Sequence, residues 1–121
     1  MIFNLKINKH SFIFVTIMRT RDESKEIQVQ QKAIELIVAH GLEGFSMQKL
    51  AKAAEVSPAT LYIYYKDKED LITSIGLIIG KKFSESVLKD FHADLPFAEG
   101  LRIQWRNRAQ YAIENRLESE F

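Results

Sequence analysis

The stretch SMQKLAKAAEVSPATLYIYY, residues 46 to 65, constrains the fold more than any other part of the chain. Ser46 stands where it can cap one helix, and Leu50, Ala51 and Ala54 give that helix a small inner face. The residues EVS then read as a tight turn. A second helix opens with Ser57 as N-cap and Pro58 at the first helical position, where a missing N–H costs nothing. Two short helices joined by a three- or four-residue turn make a helix-turn-helix. The alanines allow a close crossing, and Val56 and Leu61 plug the space between the two helices.

The flanking segments are helical in pattern too. TRDE sets Glu23 three residues after Thr20, a capping-box spacing that predicts a helix start at Thr20. Ile27, Ile34, Ile37 and Val38 carry that helix to a stop at Gly41. The second short helix ends near Tyr65. A fourth helix opens at Asp67, with Asp70 facing back to the cap, and its apolar stripe is Leu71, Ile72, Ile75, Ile78, Ile79, Phe83 and Val87. Gly76 and Gly80 each lower helix propensity by roughly 1 kcal/mol, which predicts something packed closely against them. HADLP breaks the helix before Pro96, and a last amphipathic helix runs from about Phe97 to the C-terminus. No run of β-branched strands follows residue 18, so the expected class is all-α.

The opening MIFNLKINKHSFIFVTIM stands apart, rich in Ile, Phe and Val and without acidic residues. A membrane-spanning helix needs about 20 continuous apolar residues, and Lys6, Asn8, Lys9 and His10 interrupt this one. Its end lacks the small residues of a signal-peptide cleavage site. Residues 1–19 read as an N-terminal extension, not necessarily native, with Met18 available as an alternative start. No membrane role is expected.

Composition narrows the chemistry. With 121 residues, 46% hydrophobic and 27% charged, the chain suits one globular domain, or one plus a fragment of a second. The absence of cysteine excludes disulfides, thiolate metal sites and a thiol nucleophile, and fits a reducing cytoplasm. His10, His40 and His92 lie far apart, without metal-ligand spacing. Glu69 and Asp70 read as capping groups beside Lys66 and Lys68. With no Gly-rich phosphate loop and no Ser/His/Asp set, neither an enzyme, a cofactor nor a metal is expected. The net charge is +1, and residues 44 to 68 hold Lys49, Lys52, Lys66 and Lys68 against Glu55 and Asp67, a surplus of two. That surplus is too small to argue for nucleic acid by itself.

The helix pair argues for it instead. In a helix-turn-helix the second helix enters the DNA major groove, about 12 Å wide, with its N-terminal residues at base edges. With Leu61 facing inward, the candidate contacts are Ser57, Pro58, Ala59, Thr60, Tyr62 and Tyr64. Thr60 can offer its hydroxyl to a base or phosphate and its methyl to thymine. Tyrosine hydroxyls suit phosphate oxygens. Tyr62 and Tyr64 stand about 200° apart at 100° per residue, so one flanks a strand while the other partly packs. Tyr65 reads as a core aromatic. Lys68, at the start of the fourth helix, could clamp a phosphate together with that helix's N–H groups. Ser46, Met47 and Gln48 could meet the opposite strand in the same way.

The segment GFSMQKLAKAAEVSPATLYIYYKDKEDLI, residues 44 to 72, resembles the TetR family of bacterial transcriptional regulators. KLAKAAEVS, TLYIYY and KDKEDL carry the resemblance, AHG at the end of the first helix fits it, and the likeness covers about residues 24 to 90. It implies a three-helix DNA-binding head over residues 20–66. Residues 67–121 would be a linking helix and the start of a helical effector and dimerisation domain. It also implies a homodimer on a palindromic operator, a repressor released by a small-molecule effector, and a cytoplasmic location. Trp105, with Leu101 and Ala112, would form a packing face or line the effector pocket. The chain departs from the family pattern in two ways. Glu55 stands where the turn usually carries glycine, at a cost on the order of 1 kcal/mol if the position needs a positive φ. The family also usually runs well beyond this length, which points to a truncated product. The competing reading is a truncated helical interaction module that pairs with a full-length relative through Ile75, Ile79, Phe83, Leu101 and Trp105.

Overall fold

The structure, a computed structural model, describes the backbone of residues 9–121 and the side chains of residues 22–121. Among the described residues it is all-α, as the sequence pattern predicts. The helices are α1 (Lys9–Gly44), α2 (Met47–Ala53), α3 (Pro58–Tyr64), α4 (Lys68–Val87), α5 (Phe97–Glu114) and α6 (Arg116–Glu120).

The first helix corrects the sequence reading. It does not begin at Thr20 but is already helical from Lys9. No glycine or proline lies between Lys9 and Thr20 to stop it. A capping-box spacing inside a continuing helix meets no orphan N–H groups, so it caps nothing. The expectations for residues 1–8, and for the His10 side chain, fall outside the described residues. Gly41 does break α1: its φ of 72° and ψ of 171° lie in a region only glycine occupies readily. One further turn carries the chain to Gly44.

One core joins the first four helices. Val29, Ala33, Ile34 and Ile37 of α1 meet Phe45, Met47, Leu50, Ala51 and Ala54, then Leu61 and Tyr65, then Leu71 and Ile75 of α4. Leu50, Leu61 and Leu71 are fully enclosed. Each such burial stabilises the fold by about 1.5–3 kcal/mol before chain entropy is set against it. The start of α4 is therefore held by the same core as the helix pair. Its cap is the one the sequence predicts: Asp67 Oδ1 accepts from Asp70 N at 2.8 Å, and Asp70 Oδ2 accepts from Lys66 N at 2.8 Å.

Beyond Ile79, α4 leaves that core and packs on α5. Buried Asn107 donates through Nδ2 to the carbonyls of Val87 (3.1 Å) and Lys89 (2.8 Å), closing the end of α4. Phe83 meets Tyr111 edge to face at 5.3 Å. The last helix is shorter than expected, because Asn115 (φ −123°, ψ 55°) ends α5 and α6 turns back. Glu118 of α6 there pairs with Lys82 and accepts from Tyr111 Oη at 2.8 Å. The packing predicted at Gly76 and Gly80 is not found, since no atom lies within 4 Å of a Cβ added at either. They border an open cavity of about 400 Å³, with Phe83, Arg108, Tyr111 and Phe121 among its other walls.

Candidate nucleic-acid interface

The site is built on caps. Ser46 Oγ accepts from Lys49 N at 3.2 Å and starts α2. Ser57 Oγ accepts from Thr60 N at 3.2 Å and starts α3, with Pro58 at its first position. Between them Glu55 has φ 56°. The turn thus takes the left-handed conformation that favours glycine, and a glutamate occupies it.

Two anchors orient α3. Leu61 is completely buried, and Tyr65 is buried with its hydroxyl accepting from Gln30 Nε2 at 3.0 Å. At about 100° per residue, these anchors turn Ala59 and Ile63 straight outward, with Tyr62 and Thr60 on either flank. Exposure follows that geometry: Ser57, Pro58, Ala59, Tyr62 and Ile63 are exposed, and Thr60 and Tyr64 are half-exposed. Thr60 Oγ1 shares a hydrogen bond with Ser57 Oγ at 2.8 Å, which ties the two hydroxyls at the tip of α3 together. Tyr64 is the tyrosine that partly packs. Its ring lies 6.4 Å from that of Tyr65, and burial, then the charges of Asp22 and Glu26, hold its phenol above the ordinary range. It therefore stays a neutral donor.

The expected contacts on α2 and α4 divide. Gln48 is exposed and Ser46 half-exposed, both at the start of α2. The Met47 side chain is not available: it is buried in the core, because the first turn of α2 rolls that position inward. Lys68 does not point to solvent as expected of a phosphate clamp. Its Nζ donates to the carbonyls of Leu42 (2.6 Å) and Phe45 (3.0 Å) and lies 5.6 Å from the Phe45 ring centre. Lys49 is similarly engaged, donating to Gly44 O at 2.8 Å. Trp105 belongs to neither core nor cavity. It is 61% exposed on α5, with the Arg108 guanidinium 5.7 Å from its ring centre, and the helices supply no packing face over it. Ile63 was missed, although its position two residues after the inward Leu61 is the signal that identifies it.

Among the described residues no group of three or more His, Asp or Glu could hold a metal ion. No described helix is long and apolar enough to cross a membrane.

Comparison with known proteins agrees with this architecture. Residues 31–75 match the family model for bacterial regulatory proteins of the tetR family. An uncharacterized HTH-type transcriptional regulator of Haemophilus influenzae is 36% identical over 80 residues, covering 66% of this chain and 43% of the relative. The crystal structure of a TetR family transcription regulator from Marinobacter aquaeolei superposes with a TM-score of 0.73 at 35% identity, covering 84% of this chain and 53% of that one. A second, a TetR-family transcriptional regulator from Haemophilus influenzae, gives 0.68 at 31% identity, covering 81% and 54%. The chain thus spans about half the length of the relatives it matches. On its helix-turn-helix sequence, its helical order and these likenesses, the chain belongs to the TetR family of bacterial regulatory proteins.

Proposed function

We propose that the chain is a sequence-specific DNA-binding transcriptional regulator, a repressor released by a small molecule. The observation that carries the reading is the outward face of α3. Ser57, Pro58, Ala59 and Tyr62 are exposed, and Thr60 is half-exposed, on a helix anchored from behind by Leu61 and Tyr65. The N-terminal residues of α3 meet base edges, Thr60 by hydroxyl and methyl. Tyr62 flanks the groove as a phosphate donor, and Tyr64, partly packed on Tyr65, steadies the end of α3 with its half-exposed ring. Ser46 and Gln48 approach the opposite strand at the start of α2, where helix N–H groups favour an anion. Ile63 adds an apolar contact at the far end of the same face.

Residues 20–66 serve as the DNA-binding head, and residues 67–121 link it to an effector region. The active form is a cytoplasmic homodimer on a palindromic operator, its two heads about 34–36 Å apart. Effector binding tilts α4 and moves the heads out of that spacing. Fluorescence polarisation with duplexes from the intergenic DNA upstream of the gene tests the reading. Specific binding should weaken steeply with salt, and Thr60→Ala and Tyr64→Ala should reduce it. Salt-insensitive binding, or two mutants that bind as the wild type does, would count against it.

A further inference from the structure

The open cavity between α4, α5 and α6 has a volume of about 400 Å³. That lies within the roughly 300–1,000 Å³ of small-molecule sites. Its shape comes from α4. Gly76 and Gly80 lie one turn apart on that helix, and both face the cavity. A Cβ added at either would meet no atom within 4 Å, so no neighbouring helix explains the pair. Two successive turns without side chains leave a flat strip of backbone as the floor. Rings stand around it, from Phe83, Tyr111 and Phe121, the first two already edge to face at 5.3 Å. A flat aromatic guest meets such rings in the offset or edge-on geometries that aromatic pairs prefer.

Charge narrows the class further. Arg108 and Glu118 are the charged residues of the wall. The Glu118 carboxylate is already occupied: one oxygen pairs with Lys82 and the other accepts from Tyr111 Oη at 2.8 Å. Arg108 forms no ion pair among the described residues, and its guanidinium rests 5.7 Å from the centre of the Trp105 ring. It is exposed at the mouth, with a planar fork of N–H donors that matches a carboxylate.

We propose that this cavity binds a planar aromatic carboxylate, its ring on the Gly76–Gly80 strip and its carboxylate on Arg108. The inference deepens the small-molecule part of the function proposed above, and depends on that reading only for the regulatory meaning of the site. Engagement of the carboxylate draws Arg108 away from the Trp105 ring. Trp105 is the chain's single tryptophan, so its indole N–H gives one signal that reports the event.

The probe is naphthoate, followed by calorimetry and by the Trp105 indole N–H signal in NMR. Naphthamide, of the same shape without the charge, and decahydronaphthoate, with the charge but a puckered ring, are the controls. Naphthoate should bind about tenfold more tightly than naphthamide, the worth of a charge-assisted hydrogen bond. It should also bind more tightly than decahydronaphthoate and shift the indole signal. Arg108→Gln should remove the preference for naphthoate over naphthamide. Gly80→Leu should fill the cavity and abolish binding while leaving the urea midpoint no lower than wild type, because leucine is the better helix former and meets no atom at its Cβ. Should that variant not fold, the double variant Gly76→Ala with Gly80→Ala roughens the floor with two methyl groups and should weaken naphthoate. No binding at millimolar naphthoate, equal affinity for decahydronaphthoate, or undiminished binding in Arg108→Gln or in the folded glycine variant would each overturn the proposal. Duplex affinity, measured separately with and without naphthoate, keeps the two readings apart. Naphthoate that binds as described without changing duplex affinity supports the site and counts against release by this ligand class. Failure to bind naphthoate in a protein that still binds its duplex sinks the cavity proposal alone.

Discussion

Replacing Glu55 with glycine should stabilise the protein. Glu55 sits at φ 56° in the turn between α2 and α3, its side chain exposed. A left-handed conformation costs a non-glycine residue roughly 1–2 kcal/mol. Glycine removes that cost but adds backbone freedom to the unfolded chain, worth roughly 0.5–1 kcal/mol in return. The net expectation is a gain of about 0.5–1 kcal/mol. For a chain of this size, with a urea m-value of roughly 1–2 kcal/mol/M, that raises the denaturation midpoint by about half a molar. Glu55→Ala is the matched control: it removes the same carboxylate, but alanine keeps its Cβ and should show no such gain. DNA affinity should stay at the wild-type level in the glycine variant, because the turn already has its final geometry. Equal midpoints for the glycine and alanine variants would refute the reasoning, since the gain would then owe nothing to φ.

Other substitutions separate anchors from contacts. Leu61→Ala empties the centre of the shared core and should cost about 2–5 kcal/mol by urea denaturation, abolishing DNA binding with it. Tyr62→Ala should leave the urea midpoint within about 0.5 kcal/mol of wild type, yet lower operator affinity in fluorescence polarisation. The α4–α6 contact should depend on pH at both ends. Burial pushes Glu118 up, but the Lys82 and Tyr111 hydrogen bonds outweigh it and hold the carboxyl below the ordinary 4.5. A depressed pKa contributes stability above the ordinary value and loses it as pH falls through the folded one. Burial, then the bond to Glu118, pushes Tyr111 up to about 12 from 10.0. That contribution is complete below 10 and lost as pH rises towards 12. The urea midpoint should therefore fall in acid and in strong base, and Glu118→Gln should flatten the acid limb.

The head was the legible part of the fold, because its signals are local. Ser46, Ser57 with Pro58, and Asp67 with Asp70 each write a helix start into a few neighbouring residues, and all three caps form as read. Gly41 and Leu61 were equally plain, one from its end-of-stripe position, the other from its apolar place between helices. Thr20 misled because a capping spacing does not reveal whether a helix is already running. Met47 misled because its facing depends on how α2 rolls onto α1, a tertiary matter. Lys68 was the least legible. A lysine beside a helix start has the same sequence whether it reaches for a phosphate or for the carbonyls of Leu42 and Phe45. Gly76, Gly80 and Trp105 were assigned packing partners that these helices do not supply.

The central claim is that the face of α3 led by Thr60 enters DNA. It is tested most directly by an amide NMR titration with a duplex selected by the wild-type protein from a random-sequence pool. The account predicts that the largest shifts fall at Ser57, Ala59, Thr60 and Tyr62, with a second group at Ser46 and Gln48. Shifts centred instead on Phe97, Leu101 and Trp105 of α5, with α3 unmoved, would contradict it.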